Sequence, residues 1–150
     1  MPVHCEIVAQ DRSVWSGEAD MVVIPGTSGD LGILPNHAPL LTTLRYGFLR
    51  VRRGKQEEIF TVAGGVAEVR PDRVTVLADV AEHVDEIDEQ RAEAARRRAE
   101  ELLKKGPPPD PETYLRIQAA LRRASLRLEA VRRYRRVRRP GPSMESGGED

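Results

Sequence analysis

The chain has 150 residues, with 24 Lys and Arg against 24 Asp and Glu, which leaves room for one compact domain plus an appendage or two small domains sharing a modest core. Its single cysteine, Cys5, excludes an intramolecular disulfide and suits a reducing compartment. The zero net charge hides an asymmetry of about −3 for residues 1–84, −1 for 85–109, +7 for 110–139 and −3 for 140–150.

The first residues, Met1-Pro2-Val3-His4-Cys5-Glu6, carry neither a basic start nor an apolar run, and no stretch approaches the ~20 apolar residues that cross a bilayer. Membrane association is therefore expected only through partners. Residues 3–84 read as short strands separated by turn residues, with strands expected at 4–9, 18–24, 44–52, 57–62, 66–70 and 73–79. Arg53-Gly54-Lys55, Ala63-Gly64-Gly65 and Pro71-Asp72 supply the backbone freedom or fixed φ that tight reversals need. Closely spaced hairpins favour antiparallel pairing, and a sheet buries its apolar face most simply against a second one.

After Ala81 the period changes. Ala92, Ala95, Ala99 and Leu102 form a stripe at spacings of three and four, which describes one face of a helix. Beyond Gly106-Pro107-Pro108-Pro109 a second stripe runs through Tyr114, Ile117, Leu121, Ala124, Leu128 and Val131, with Arg135 at the next step, so pairing is expected to fade near Val131. Two helices joined by a short Pro/Gly turn should fold back on each other. A seam so rich in alanine removes little apolar area from water, at ~25 cal/mol per Å², and predicts a hairpin that can open. The reading is thus α+β: an antiparallel β-sandwich over 1–84, an antiparallel two-helix hairpin over 85–139 and a disordered tail over 140–150.

Ten arginines and three acids between Asp110 and Arg139 make a basic arm suited to an acidic surface, a phosphate or nucleic acid. Only Tyr114 and Tyr134 in that arm could stack on bases, which weakens the nucleic-acid alternative. An enzyme is not supported: there is no Walker-type phosphate loop, and His4, His37 and His83 stand in unrelated contexts without a metal-ligand cluster.

Three motifs narrow the choice. Residues 29–39 read Gly-Asp-Leu-Gly-Ile-Leu-Pro-Asn-His-Ala-Pro, residues 63–70 read Ala-Gly-Gly-Val-Ala-Glu-Val-Arg, and residues 87–92 read Ile-Asp-Glu-Gln-Arg-Ala. In order and spacing they resemble the epsilon subunit family of the bacterial F-type rotary ATP synthase, from residue 3 to about residue 133. That resemblance implies a ten-stranded sandwich, a helical hairpin and a non-catalytic place in the central stalk. It also implies gamma, rotor-ring c, and catalytic beta and alpha subunits as partners, no nucleic acid, and a peripheral position on the cytoplasmic face of the bacterial membrane, with a proton-translocating complex as the whole.

The family pattern further implies site residues. The stretch from Asp30 to Pro39 matches the family's ring-facing loop, so Asp30 and His37 are the expected ring contacts. Asn36 stands where the family usually has Gly, and Asn tolerates a left-handed backbone better than most residues. No cofactor is required, but some bacterial members bind ATP as a sensor, and the matching positions are Glu82, Asp88, Arg91, Arg98, Arg123 and Arg127. Arg91 and Arg98 lie seven apart and Arg123 and Arg127 four apart, so each pair shares a face. Counting back from the turn at ~1.5 Å per residue sets Arg91 level with Arg127 and Arg98 near Arg123, which would bring four guanidinium groups together. Solvated i,i+4 pairs with acids of the first helix fit the same arginines. In the family the second helix also blocks ATP hydrolysis through a basic face, for which Arg116, Arg122, Arg123, Arg127, Arg132 and Arg133, with Arg135 and Arg136 beyond them, are the matching residues.

Overall fold

The structure, a computed structural model, describes residues 1–10, 12–108 and 110–135; the expected tail at 140–150 and Arg136 lie outside the described residues. Among the described residues ten strands come first: β1 Val3–Ala9, β2 Arg12–Ala19, β3 Met21–Gly26, β4 Gly29–Ile33, β5 Leu40–Thr43, β6 Tyr46–Arg53, β7 Gln56–Ala63, β8 Gly65–Val69, β9 Arg73–Ala78 and β10 Ala81–His83. A 3-10 turn at Val84–Glu86 leads into helix α1, Glu89–Lys104, and helix α2, Pro111–Ala130, whose end winds into a π turn at Val131–Arg135.

The strands form two five-stranded sheets in the orders β2-β1-β9-β8-β5 and β10-β7-β6-β3-β4. Alternation explains why they pack. In β1 every second residue, Val3, Cys5, Ile7 and Ala9, is buried, and β9 repeats this with Val74, Val76 and Ala78. These meet Ile24, Leu49, Phe60 and Val62 of the other sheet in one core, with Trp15 half-buried against it and its ring 6.1 Å from that of Phe60. Burial pushes the Cys5 thiol up to about 12, with the neighbouring Glu6 carboxylate adding to the rise.

Three expectations need correction. The strand expected over 18–24 is two strands, because the chain passes from one sheet to the other at Asp20. Pairing is not wholly antiparallel: β1 and β9 run parallel, since the long connection between them returns the chain in the same direction. The stretch from Asp30 to Pro39 is not all loop, because Asp30 to Ile33 complete β4, paired with β3.

The turns obey local sterics. Gly64 and Gly65 take φ of 81° and 120°, and a Cβ on Gly65 would sit 2.2 Å from the Leu77 carbonyl oxygen, so the tight passage from β7 into β8 admits only glycine. Asn36 takes φ 68°, the left-handed conformation anticipated for it.

Both helices begin with a carboxylate cap. Asp88 accepts from the Arg91 N–H at 3.0 Å, and Asp110 accepts from the Glu112 N–H at 3.1 Å with Pro111 in the first turn. The buried residues of the α1–α2 seam are small: Ala92 and Ala99 from α1, Ala124 from α2. Pairing does not simply fade at Val131. There α2 exchanges one partner for another, as Ala130 and Val131 enter a second apolar cluster with Ile59, Val84 and Ile87, joined by Phe48 and Tyr134.

Candidate functional site

Where the first half of α1, the last turn of α2 and strand β10 meet, they enclose a cleft of about 450 Å³. The helix period places Arg91 and Arg98 on its α1 wall, Arg127 enters from α2, and Glu82 reaches it from β10. Glu86 and Asp88 complete the charged lining, with Ala92, Ala94 and Ala95 as the apolar floor. Five of the six residues matched to the family's ATP pattern therefore share one cavity. The sixth, Arg123, lines a smaller neighbouring cavity with Glu82, Thr61 and Arg127, so three guanidinium groups face the cleft where four were expected.

The acids in the cleft already have work. Glu82 accepts from Arg127 Nε at 2.7 Å, tying the edge of the sandwich to α2, and Asp88 caps α1. Glu86, which the sequence reading did not single out, adds a third carboxylate, and three acids against three arginines leave the cleft close to neutral. A polyanion entering it would replace carboxylates as partner of the arginines, by bidentate charge-assisted bonds.

The arginines matched to the inhibitory pattern do not form one face. At 3.6 residues per turn, Arg116, Arg123 and Arg127 share a stripe, while Arg122 and Arg133, three turns apart, share another. The first stripe turns toward α1 and the edge of the sandwich: Arg116 lines an apolar groove with Ala99, Leu102 and Ile117. The second lies over β6, with the Arg122 guanidinium 4.2 Å above the Tyr46 ring and that of Arg133 5.9 Å from Phe48. Arg132 faces away, in a groove with Glu89, Glu93 and Arg96. In that groove the hydrogen bond from Arg96, ahead of the opposing cost of desolvation and the nearby charges, holds the Glu93 carboxyl below its ordinary range.

The two expected ring contacts are not brought into one cavity. Asp30 pairs with Arg45 and lines a cleft of about 240 Å³ with Tyr46, Phe48 and Arg133. His37 is half-buried; its N–H donates to the Leu34 carbonyl at 3.2 Å, and its Nδ1 lies 2.8 Å from the Ala38 carbonyl oxygen. Among the described residues no cluster of three His, Cys, Asp or Glu could hold a metal ion, and no helix is long and apolar enough to cross a membrane.

A sheet platform bearing a cationic two-helix arm, with its charged groups gathered between the two, defines a two-domain accessory subunit. Comparison with known proteins makes this specific. The family model described as the beta-sandwich domain of the ATP synthase delta/epsilon chain matches residues 2–84, and the one described as its long alpha-helix domain matches residues 85–132. A protein named ATP synthase epsilon chain from Alkalilimnicola ehrlichii is 46% identical over 138 residues, covering 89% of this chain and 95% of that one. A protein of the same name from Laribacter hongkongensis is 48% identical over 136 residues, covering 89% and 96%. The chain belongs to the ATP synthase delta/epsilon chain family, as a non-catalytic subunit of the central stalk. Its fold is also that of a chain in the cryo-EM structure of the Euglena gracilis mitochondrial ATP synthase, with a TM-score of 0.71 at 23% identity over 87% of this chain and 81% of that one.

Proposed function

We propose that the chain acts as the epsilon subunit of a bacterial proton-translocating ATP synthase, coupling the rotor ring to the catalytic head and restraining ATP hydrolysis through its helices. The sandwich docks on the gamma subunit. Support comes from the outer face of the first sheet, where the register sets Val8, Leu77 and Val66 side by side and leaves Leu77 51% exposed, with Leu41 of β5 on the same face at 71%. Asp30 and His37 meet the c subunits of the ring, and the arginines of α2, once free, meet acidic surface on the catalytic beta and alpha subunits. The subunit stays at the cytoplasmic face of the membrane through these partners alone.

The hairpin senses ATP in its folded state. The observation that carries this reading is the single cleft in which Arg91, Arg98 and Arg127 converge with Glu82 and Asp88 between two domains. Triphosphate oxygens would bridge arginines of both helices and zip the hairpin, while a carboxylate accepts from the adenine amine. Isothermal titration of the full chain with ATP tests it: heat fitting one site, lost in Arg98→Ala, is the expected result, and no heat at millimolar nucleotide would remove the sensor. Inhibition has a separate test, because deleting residues from 110 onward should raise ATP hydrolysis by the assembled complex. An unchanged rate would count against it.

A further inference from the structure

The Arg135 guanidinium reaches across from the last described turn of α2 and donates to two backbone carbonyls of the interdomain linker, Val84 O at 2.5 Å and Ile87 O at 2.8 Å. Those carbonyls bracket the 3-10 turn Val84–Glu86, the segment that sets the direction in which α1 leaves the sandwich. Beside this clamp the buried apolar side chains are larger than the alanines buried elsewhere among the described residues of the arm. Val84 is fully buried, Ile87 and Val131 nearly so, and Tyr134 meets Phe48 of β6 edge-on with ring centroids 5.1 Å apart. The opposite end of the hairpin is loose by comparison: Leu102 is 41% exposed, Tyr114 36% and Leu115 63%.

We infer that Arg135, seated by Val131 and Tyr134, is the catch of the arm: it locks the linker, so the hairpin opens first at its turn and the linker becomes a hinge only when the end of α2 leaves the sandwich. A positive group against the carbonyl end of a short helical turn is favourable, and bound carbonyls hold the linker in one conformation. Loss of the catch releases both helices together, since α1 takes its direction from the clamped turn. The inference does not rest on nucleotide binding, and it gives the end of α2 a task other than contact with catalytic subunits.

Hydrogen–deuterium exchange read by mass spectrometry on the full chain tests it, without nucleotide. In the unmodified protein, peptides covering 84–87 and 124–134 should exchange about tenfold more slowly than those covering 111–120. Arg135→Gln should speed exchange of the linker and the start of α1 by about tenfold while peptides of β7 stay unchanged, and Arg135→Lys, which keeps a charged donor, should restore part of the protection. Tyr134→Ala should act in the same direction through the seat of the clamp. An unchanged linker in Arg135→Gln, or a turn end that exchanges more slowly than the end of α2, overturns the inference. So does a loss of protection that extends to the sandwich, because the clamp would then not be local.

Discussion

The sandwich and the hairpin bury different things. In the sandwich the core is made of branched and aromatic side chains, Ile7, Ile24, Leu49 and Phe60 among them, each with no exposure. In the seam between the helices the fully covered side chains are alanines, and larger ones such as Leu121 and Leu128 stay half-buried. A buried aromatic removes ~150–250 Å² from water, whereas a methyl group removes a small fraction of that. The two domains therefore differ in how firmly they are held, and the difference sits where a platform must stay rigid and an arm must move.

The largest effect that sharpens this contrast is chemical. Raising a thiol from its ordinary 9.0 to about 12 lowers the thiolate population roughly a thousandfold at neutral pH. Cys5 should therefore resist iodoacetamide in the native chain and react fully once the chain is unfolded. Rapid native labelling would mean that the platform opens and would erase the contrast. Stability changes come next: Phe60→Ala should cost ~3–5 kcal/mol in urea unfolding followed by Trp15 fluorescence, through loss of buried surface and the cavity left behind. Ala124→Leu, which overfills the small-residue seam, should cost ~1–3 kcal/mol, confined to the helical signal. If Ala124→Leu moved the Trp15 transition as far as Phe60→Ala did, the two domains would share one cooperative core.

What could be read from the sequence divides along physical lines. The six strands expected from alternation cover the interior of both sheets, while β4, β5, β10 and most of β2 escaped notice. All four are edges in the observed orders. An edge strand covers one flank only, so its pattern blurs: β5 is almost wholly exposed, β4 alternates around two glycines, and β10 has three residues. The resemblance to a known family supplied the ten-strand total that alternation could not.

The cleft was legible to the extent that helix arithmetic reaches. Spacing within α1 and α2 sets Arg91, Arg98 and Arg127 on facing stripes, and all three line one cavity. It missed Glu86, because that residue precedes the first helical turn and no periodicity applies to a 3-10 linker. It also set Arg123 in the cleft, whereas the docking of α2 on β6 and β7 turns that residue toward Thr61 and Ala63. How a helix rotates against a sheet depends on contacts such as Arg122 on Tyr46, and those are tertiary.

The smallest effect separates the arm from the platform by pH. Arg96 bonds to Glu93 and, at 2.6 Å, to Glu100, within one turn of α1, and the Arg96 bond is the leading cause of the lowered Glu93 value. Because the folded carboxyl lies below its unfolded value, its contribution is complete above the unfolded range, near 4.5, and is lost as pH falls through the folded value. Acidification below that point should reduce helical ellipticity before the sheet signal changes, and Glu93→Gln should flatten this first step. The pair is partly exposed, so added salt should shrink the difference as well. Identical acid curves for Glu93→Gln and the unmodified chain would remove the pair from the list of things that hold α1, leaving the Asp88 cap and the alanine seam to do so.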